Sequence, residues 1–400
     1  MASDDEMTVD ERRKYLRRMY GRYWAADRRG RSRLLDEMES VTGMHRKSLV
    51  RLLRGETLDR KRRRGGRGVT YGNDVRYVVS VVWESLDYVC AERLTPSLLP
   101  MAQHLERFGE VQLTPEVEDK LGQISRATVQ RMLTRMPREK PRLPQAGPDR
   151  ANGMRRDVPM RRVPWDEQVP GHFETDLVHH CGARAHGEYV HTLQLIDVAT
   201  AWSERVAMLG RSEPAMIKAF NRVIVRVPFA IRELHPDSGG EFYSVNLARL
   251  WGEKIAGLKL SRSRPYYKND NRFVEQKNCT LVRAYVGNDR LDTEEETRRL
   301  NTLYDDMWTY YNLFQPVLRL TSKTIVDGKL RRTWDQPATP YQRVRDAGVL
   351  ADEIREELDL QLRMTNPRKL RHRIYEGIYN LWGAEQAVPV LTKPTSPEAA

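Results

Sequence analysis

Seven prolines fall between residues 137 and 170, at 137, 141, 144, 148, 159, 164 and 170, in a stretch rich in arginine. Prolines at that density forbid a regular helix and remove backbone donors that a sheet would need. The segment therefore reads as a basic linker, and it divides the chain. Before it the apolar pattern is helical; after it, short Val/Ile/Leu-rich runs alternate with amphipathic segments, as expected of an α/β domain. No repeat of fixed period is present. The division gives a helix-turn-helix domain with a basic arm at 1–68, a second helical or helix-turn-helix domain at 69–136, and the linker at 137–170. An α/β core at 171–320 and a mainly helical carboxyl-terminal region at 321–400 follow.

The 400 residues carry 68 Lys+Arg against 55 Asp+Glu, a formal net charge of +13. A surplus of that size points to a polyanionic partner, with nucleic acid ahead of an acidic membrane. Three scattered cysteines, Cys90, Cys181 and Cys279, imply no disulfide framework and suit a reducing cytoplasm. No run approaches eighteen apolar residues, so the sequence predicts no membrane span and no membrane partner. The expected location is the cytoplasm, at the bacterial nucleoid.

Within the first domain, RSRLLDEMESVTGMHRKSLVRLLRG sets Leu34, Leu35 and Met38 on one helix and Leu49, Leu52 and Leu53 on the next. Gly43 permits the corner between them, and Thr42 is the expected cap. The second helix offers Arg46, Lys47 and Arg51 to phosphates and base edges, and Arg62, Arg63 and Arg64 form an arm able to follow a backbone. In the second domain a long helix is expected through Val75, Val78, Val82, Leu86 and Val89. A terminal helix capped by Ser125 exposes Arg126, Thr128, Gln130 and Arg131, while Val129, Met132 and Leu133 pack.

Beyond the linker, HFETDLVHH (172–180), YVHTLQLIDVAT (189–200) and WSERVAML (202–209) read as three consecutive strands of an antiparallel meander. A carboxylate inside the first, Asp176, needs a reason. Residues 213–227 carry a helix-start pattern and one apolar face. IRELHPDSGGEF (231–242) gives a strand ending at Asp237, where Ser238, Gly239 and Gly240 permit a sharp turn. A helix, a strand at 258–264 and a further helix over 269–287 follow. On the last, Glu275 borders the stripe of Val274, Leu281 and Tyr285, with Arg272 and Asn278 three residues to either side on the same face.

The blocks DLVHH around Asp176, HPDSGGEF around Asp237 and PYYKNDNRFVEQKN around Glu275 resemble the three signature blocks of the retroviral-integrase superfamily of DDE recombinases, bacterial insertion-sequence transposases above all. Sixty residues separate the aspartates and thirty-seven separate Asp237 from Glu275, a spacing similar to that family's. WTYYNLFQPV (308–317) resembles its Tyr-Asn-x-x-x-Pro segment. The resemblance covers about residues 171–320. It implies a ribonuclease H-like fold with a five-stranded mixed sheet, and two Mg²⁺ ions, replaceable by Mn²⁺, held by Asp176, Asp237 and Glu275. The residue types make chemical sense, because Mg²⁺ prefers hard oxygen ligands and two ions roughly 3.5–4 Å apart can serve both oxygens of an in-line displacement.

Three further readings complete the expectation. Glu174 shares the sheet face of Asp176 by alternation, and Asp197 is expected to support the site from the core edge. His179, His180, Cys181, His186 and His191 crowd near one hairpin, where an ordinary polar turn is preferred to a zinc site. Lys268, Arg272, Lys277 and Asn278 are expected at DNA around Glu275. In the carboxyl-terminal region 321–400, TSKTIVDGKLRRTWDQPATPYQRV reads as a basic linker broken by prolines and able to contact DNA, and VLADEIREELDLQL (349–362) as an acidic amphipathic helix suited to protein–protein contact in an assembly, or else to core packing. The resulting expectation is a transposase that binds the double-stranded terminal repeats of its element, cleaves them, and joins the 3′-hydroxyls to target DNA as a homo-oligomer. A DNA-binding regulator that keeps the fold, or a nuclease without strand transfer, is the alternative.

Overall fold

A capping box opens the first helix: Thr8 Oγ1 accepts the Glu11 N–H, and the Glu11 carboxylate takes the Thr8 N–H. Each side chain thereby satisfies a donor that a helix end leaves over. The computed structural model describes residues 7–55, 58, 70–138, 167–236, 242, 244–261, 271–326 and 329–382. Helices α1 (Val9–Ala25), α2 (Arg28–Thr42) and α3 (Arg46–Leu53) pack around Leu16, Met38, Leu49 and Leu53. They belong to one compact unit, residues 1–70; residues 71–400 make a second.

Gly43 turns the chain between α2 and α3 in the left-handed region, at φ 65°. Thr42 does not cap α3. It ends α2, donating its hydroxyl to the Met38 carbonyl four residues back at 2.5 Å and accepting the Met44 N–H at 3.3 Å, one step short of the first turn of α3. His45 caps instead, its Nδ1 accepting the Lys47 N–H at 3.2 Å. The arm residues Arg62, Arg63 and Arg64 lie outside the described residues, as does the linker from 139 to 166.

The second unit begins with α4 (Asn73–Ser85), α5 (Ala91–Glu106), α6 (Pro115–Gln123) and α7 (Arg126–Leu133). The apolar period predicted a first helix running to Val89, but α4 ends at Ser85. Asp87 and Tyr88 both adopt positive φ, 55° and 57°, and Trp83 Nε1 reaches over the turn to the Val89 carbonyl at 2.9 Å. Ser125 caps α7, as its sequence predicts.

Strands β1 (His172–His179), β2 (Val190–Asp197) and β3 (Ser203–Leu209) form the expected antiparallel meander. Then α8 (Glu213–Arg226) crosses to β4 (Glu233–Pro236), parallel to β1, and α9 (Val245–Lys254) leads to β5 (Lys259–Leu260). The result is a mixed five-stranded sheet in the order β3-β2-β1-β4-β5. One face buries Phe173, Leu177, Leu193 and Leu195 against Phe220 and Val223 of α8 and Trp251 of α9. The other carries Val190 and Ala207 against α12 (Glu294–Thr309) and α15 (Pro367–Trp382).

The stretch read as a proline-broken linker is a β-hairpin, β6 (Leu320–Val326) with β7 (Lys329–Trp334). Its prolines, 337 and 340, lie past the second strand, so they do not interrupt the ladder. After it, α13 (Pro340–Asp346) and α14 (Asp352–Met364) precede α15. Among the described residues no helix is long and apolar enough to cross a membrane.

Candidate active site

The site is built where one helix is tied to β1. Asp176 stands half-buried in β1, its Oδ1 accepting the Leu177 N–H at 2.8 Å and its Oδ2 accepting Asn278 Nδ2–H at 2.6 Å. Two residues earlier on the same sheet face, the buried Glu174 accepts the N–H groups of Phe273 and Val274 through one oxygen, Oε2, at 2.7 and 2.9 Å. Those amides lie in the first turn of α10 (Arg272–Lys277), where unsatisfied donors and the helix dipole favour a carboxylate. Residues 273, 274 and 278 are thus pinned to 174 and 176, and the exposed Glu275 lies between the pins.

The helix does not continue as α-helix. Asn278–Arg283 is π-helical, and α11 (Ala284–Val286) closes the segment. Such wide turns recur at functional sites because they re-aim side chains within a helix.

Asp237 lies outside the described residues. Its preceding residue, Pro236, ends β4 and is the register partner of Thr175. Among the described residues no group of three or more His, Cys, Asp or Glu is placed to hold a metal ion. Asp176 and Glu275 offer carboxylate oxygens, a donor type that suits Mg²⁺ rather than a soft cation.

Behind Asp176 the sheet is polar. Its register partner on β2 is Gln194, whose own partner on β3 is Arg205. Both are buried, and Arg205 stands over the rings of Tyr304 and Tyr311 at 5.7 and 5.9 Å. The Tyr-Asn-x-x-x-Pro segment supplies a structural tie: buried Asn312 accepts the Ser203 N–H and donates to the Ser203 carbonyl, both at 3.0 Å. Tyr311 also lies under Lys277 Nζ, 5.0 Å from the ring centroid.

Asp197 is buried away from this chemistry. Its oxygens accept the N–H groups of Gly171, His172 and Thr200 and the Thr200 hydroxyl, fastening the start of β1 to the end of β2. Burial pushes its carboxyl up, opposed by those bonds. Glu174 is pushed up to about 8 by burial, opposed by the two backbone N–H bonds and by Arg272.

Loss of the Glu174 acceptor leaves two backbone donors without their partner. Glu174→Ala is expected to cost about 1–3 kcal/mol of stability and to speed hydrogen exchange at Phe273 and Val274. Glu174→Gln, which keeps an acceptor oxygen, should recover most of both. Unchanged exchange in the alanine variant would show that the bonds do not hold the helix.

The remaining expected DNA contacts are distributed. Arg46 is turned back to α2, bonded to Asp36 and to Ser32 Oγ, whereas Lys47 and Arg51 are exposed. On α7, Arg126, Gln130 and Arg131 are exposed; Arg126 reaches Glu92 at 3.4 Å and Arg131 reaches the half-buried Thr128 at 3.1 Å. Arg272 stacks over Phe273. Lys268 lies outside the described residues.

Among the histidines, His191 stacks on Tyr189 at 4.5 Å between ring centroids and meets His179 edge-on at 4.8 Å, while His180 Nε2 meets Thr192 Oγ1 at 2.8 Å. Burial holds His180 well below its ordinary value and His191 down to about 4, with neighbouring His179 adding to both. The folded rings stay neutral while an unfolded chain takes up protons below about 6.5. Stability is therefore intact above that pH and falls as pH drops toward 4. Urea unfolding should show stability falling between pH 7 and pH 5, with about 2 kcal/mol of the loss carried by His191, and His191→Gln should remove that share. A flat profile would contradict it.

The α/β core therefore has the mixed sheet and flanking helices that the signature blocks imply. A curated protein of Sinorhizobium fredii (strain NBRC 101917 / NGR234), described as uncharacterized protein y4rM, is 36% identical over 327 residues, covering 80% of this chain and 91% of its own length. This chain belongs to the family of that rhizobial protein. No family model matches the sequence. Among solved structures, the catalytic core domain of BIV integrase aligns with a TM-score of 0.30 and 11% identity, over 44% of this chain and 95% of that one, a likeness too slight to argue from.

Proposed function

We propose that this chain is a DDE transposase with a ribonuclease H-like core, whose catalytic carboxylates are Asp176, Asp237 and Glu275. The observation that carries the reading is the double pin between β1 and α10. Glu174 and Asn278 fasten the helix on either side of Glu275, directly beside Asp176. A carboxylate in the middle of a strand and another on a helix held against it are what a site for cations and phosphate oxygens requires.

Two Mg²⁺ ions, when bound, supply the charge that stabilises both attacking and leaving oxygens in an in-line displacement. The protein's part is orientation. The Leu177 N–H and the Asn278 amide fix the Asp176 carboxylate, and the Glu174 oxygen fixes the turn that presents Glu275. Lys277 and Arg272, on the same helix, supply positive charge for substrate phosphates. The amino-terminal helices, through Lys47 and Arg51, and α7, through Arg126, Gln130 and Arg131, are the proposed readers of the terminal repeats. Holding two ends for joining implies a homo-oligomer.

A joining assay tests the reading. Labelled duplexes carrying the inverted repeats that flank the coding region should be nicked and then joined to target DNA in Mg²⁺ or Mn²⁺. Hydrolysis without joined products would make the chain a nuclease, and binding without either would make it a regulator.

A further inference from the structure

The hairpin β6–β7 stands apart from the rest of the second unit, with a firm base and a bare body. At its base, Asp335 Oδ1 accepts the Arg319 N–H at 2.8 Å, the Asp335 N–H returns to the Arg319 carbonyl at 3.0 Å, and Asp335 Oδ2 pairs with Arg343 at 2.5 Å. Beyond that clamp the two strands pair, among the described residues, only with each other. Thr324, Ile325, Val326, Arg331, Arg332, Thr333 and Trp334 are exposed, Ile325 at 76% and Trp334 at 51%. A lone two-stranded ribbon is marginally stable in water, and an aromatic ring left half in solvent costs hydrophobic free energy. An anchored arm of this kind is completed by what it binds.

Charge identifies the occupant. Residues 319–335 hold five basic residues, Arg319, Lys323, Lys329, Arg331 and Arg332, against Asp327 and Asp335, and Asp335 is already spent on the clamp. A second copy laid edge to edge would set these like charges side by side, which natural sheet edges use to prevent pairing. Duplex DNA suits the arm in sign and size, since a major groove about 12 Å wide admits a two-stranded β-ribbon. We propose that β6–β7 is a DNA-binding arm that lies in a groove of duplex DNA, with Arg331 and Arg332 on phosphates and Trp334 against the sugar-phosphate wall. This rests on the reading of the chain as an enzyme acting on DNA and adds a binding element outside both the amino-terminal helices and the carboxylate site.

The test uses the full chain in EDTA, so that no cleavage enters, with a fluorescein-labelled duplex of arbitrary sequence followed by anisotropy over a salt series. Arg331→Ala/Arg332→Ala should weaken binding about tenfold and lower the salt slope by about 1.8, at roughly 0.9 for each phosphate that the variant no longer neutralises. Arg331→Lys/Arg332→Lys should keep the slope, and equal melting temperatures would exclude misfolding. The DNA-induced change in tryptophan emission should shrink in Trp334→Phe. An unaltered slope and affinity in the alanine variant overturns the proposal, as does a variant that loses self-association while binding DNA normally, which would assign the arm to a second copy. A wild-type chain that shows the hairpin effect but neither nicks nor joins DNA in Mg²⁺ supports the arm and retires the strand-transfer reading.

Discussion

Asp176→Asn should abolish Mg²⁺-dependent nicking and joining while leaving the fold and DNA binding intact. The two effects separate because of how the side chain is held. Asn278 donates to Asp176 Oδ2, and its own Oδ1 is buried without a hydrogen-bond partner among the described residues. If residue 176 becomes an amide, Asn278 can rotate by half a turn and accept from the new NH₂, so the tie between β1 and α10 survives. What does not survive is the negative charge that would hold the cation. Several kcal/mol of transition-state stabilisation would go with it, about a thousandfold or more in rate at 1.4 kcal/mol per factor of ten. Labelled end DNA, read on a denaturing gel for nicked and joined strands alongside anisotropy for binding, measures both. Joining at the wild-type rate would remove Asp176 from the site.

Elements with a strong period were legible, and those defined by distant partners were not. Alternation in HFETDLVH and the apolar face of EPAMIKAFNRVIVR located β1 and α8 to within a residue or two of their observed ends. Alternation also set Glu174 on the face of Asp176. Its use as an acceptor for amides about a hundred residues away is a tertiary fact that no local pattern carries. The end of α4 was missed because neither Gly nor Pro marks it; the chain turns at Asp87 and Tyr88 on long-range support. The hairpin was missed although its signal was present: Asp327–Gly328 joins TSKTIV to KLRRTW, a common two-residue hairpin sequence, and the prolines beyond it drew the reading toward a linker. The π-helical turn after Glu275 left no trace in the apolar spacing.

Asp87 accounts for the turn at the end of α4, and its removal should be among the most destabilising single changes in the second unit. It is buried, and its oxygens accept the hydroxyls of Tyr285 at 2.6 Å and Tyr375 at 2.9 Å together with Arg371 Nε at 3.1 Å. Arg371 is equally buried, packed over the rings of Tyr88 and Tyr375. Asp87→Ala would strand that guanidinium with Glu84 at 3.9 Å as its remaining anion among the described residues, and breaking a buried pair in this way costs about 3–5 kcal/mol. Arg371→Met should cost less, because Asp87 keeps two hydroxyl donors and the methionine refills the space over the tyrosine rings. Urea unfolding of the two variants in the full chain tests the asymmetry. The same cluster fastens α4 to α15 and, through Tyr285, to the segment that follows the Glu275 helix. Asp87→Ala should therefore also speed hydrogen exchange across Asn278–Val286, a response that Arg371→Met shows more weakly. Equal losses in the two variants would mean that the hydroxyls contribute nothing and that the ion pair alone holds the helices together.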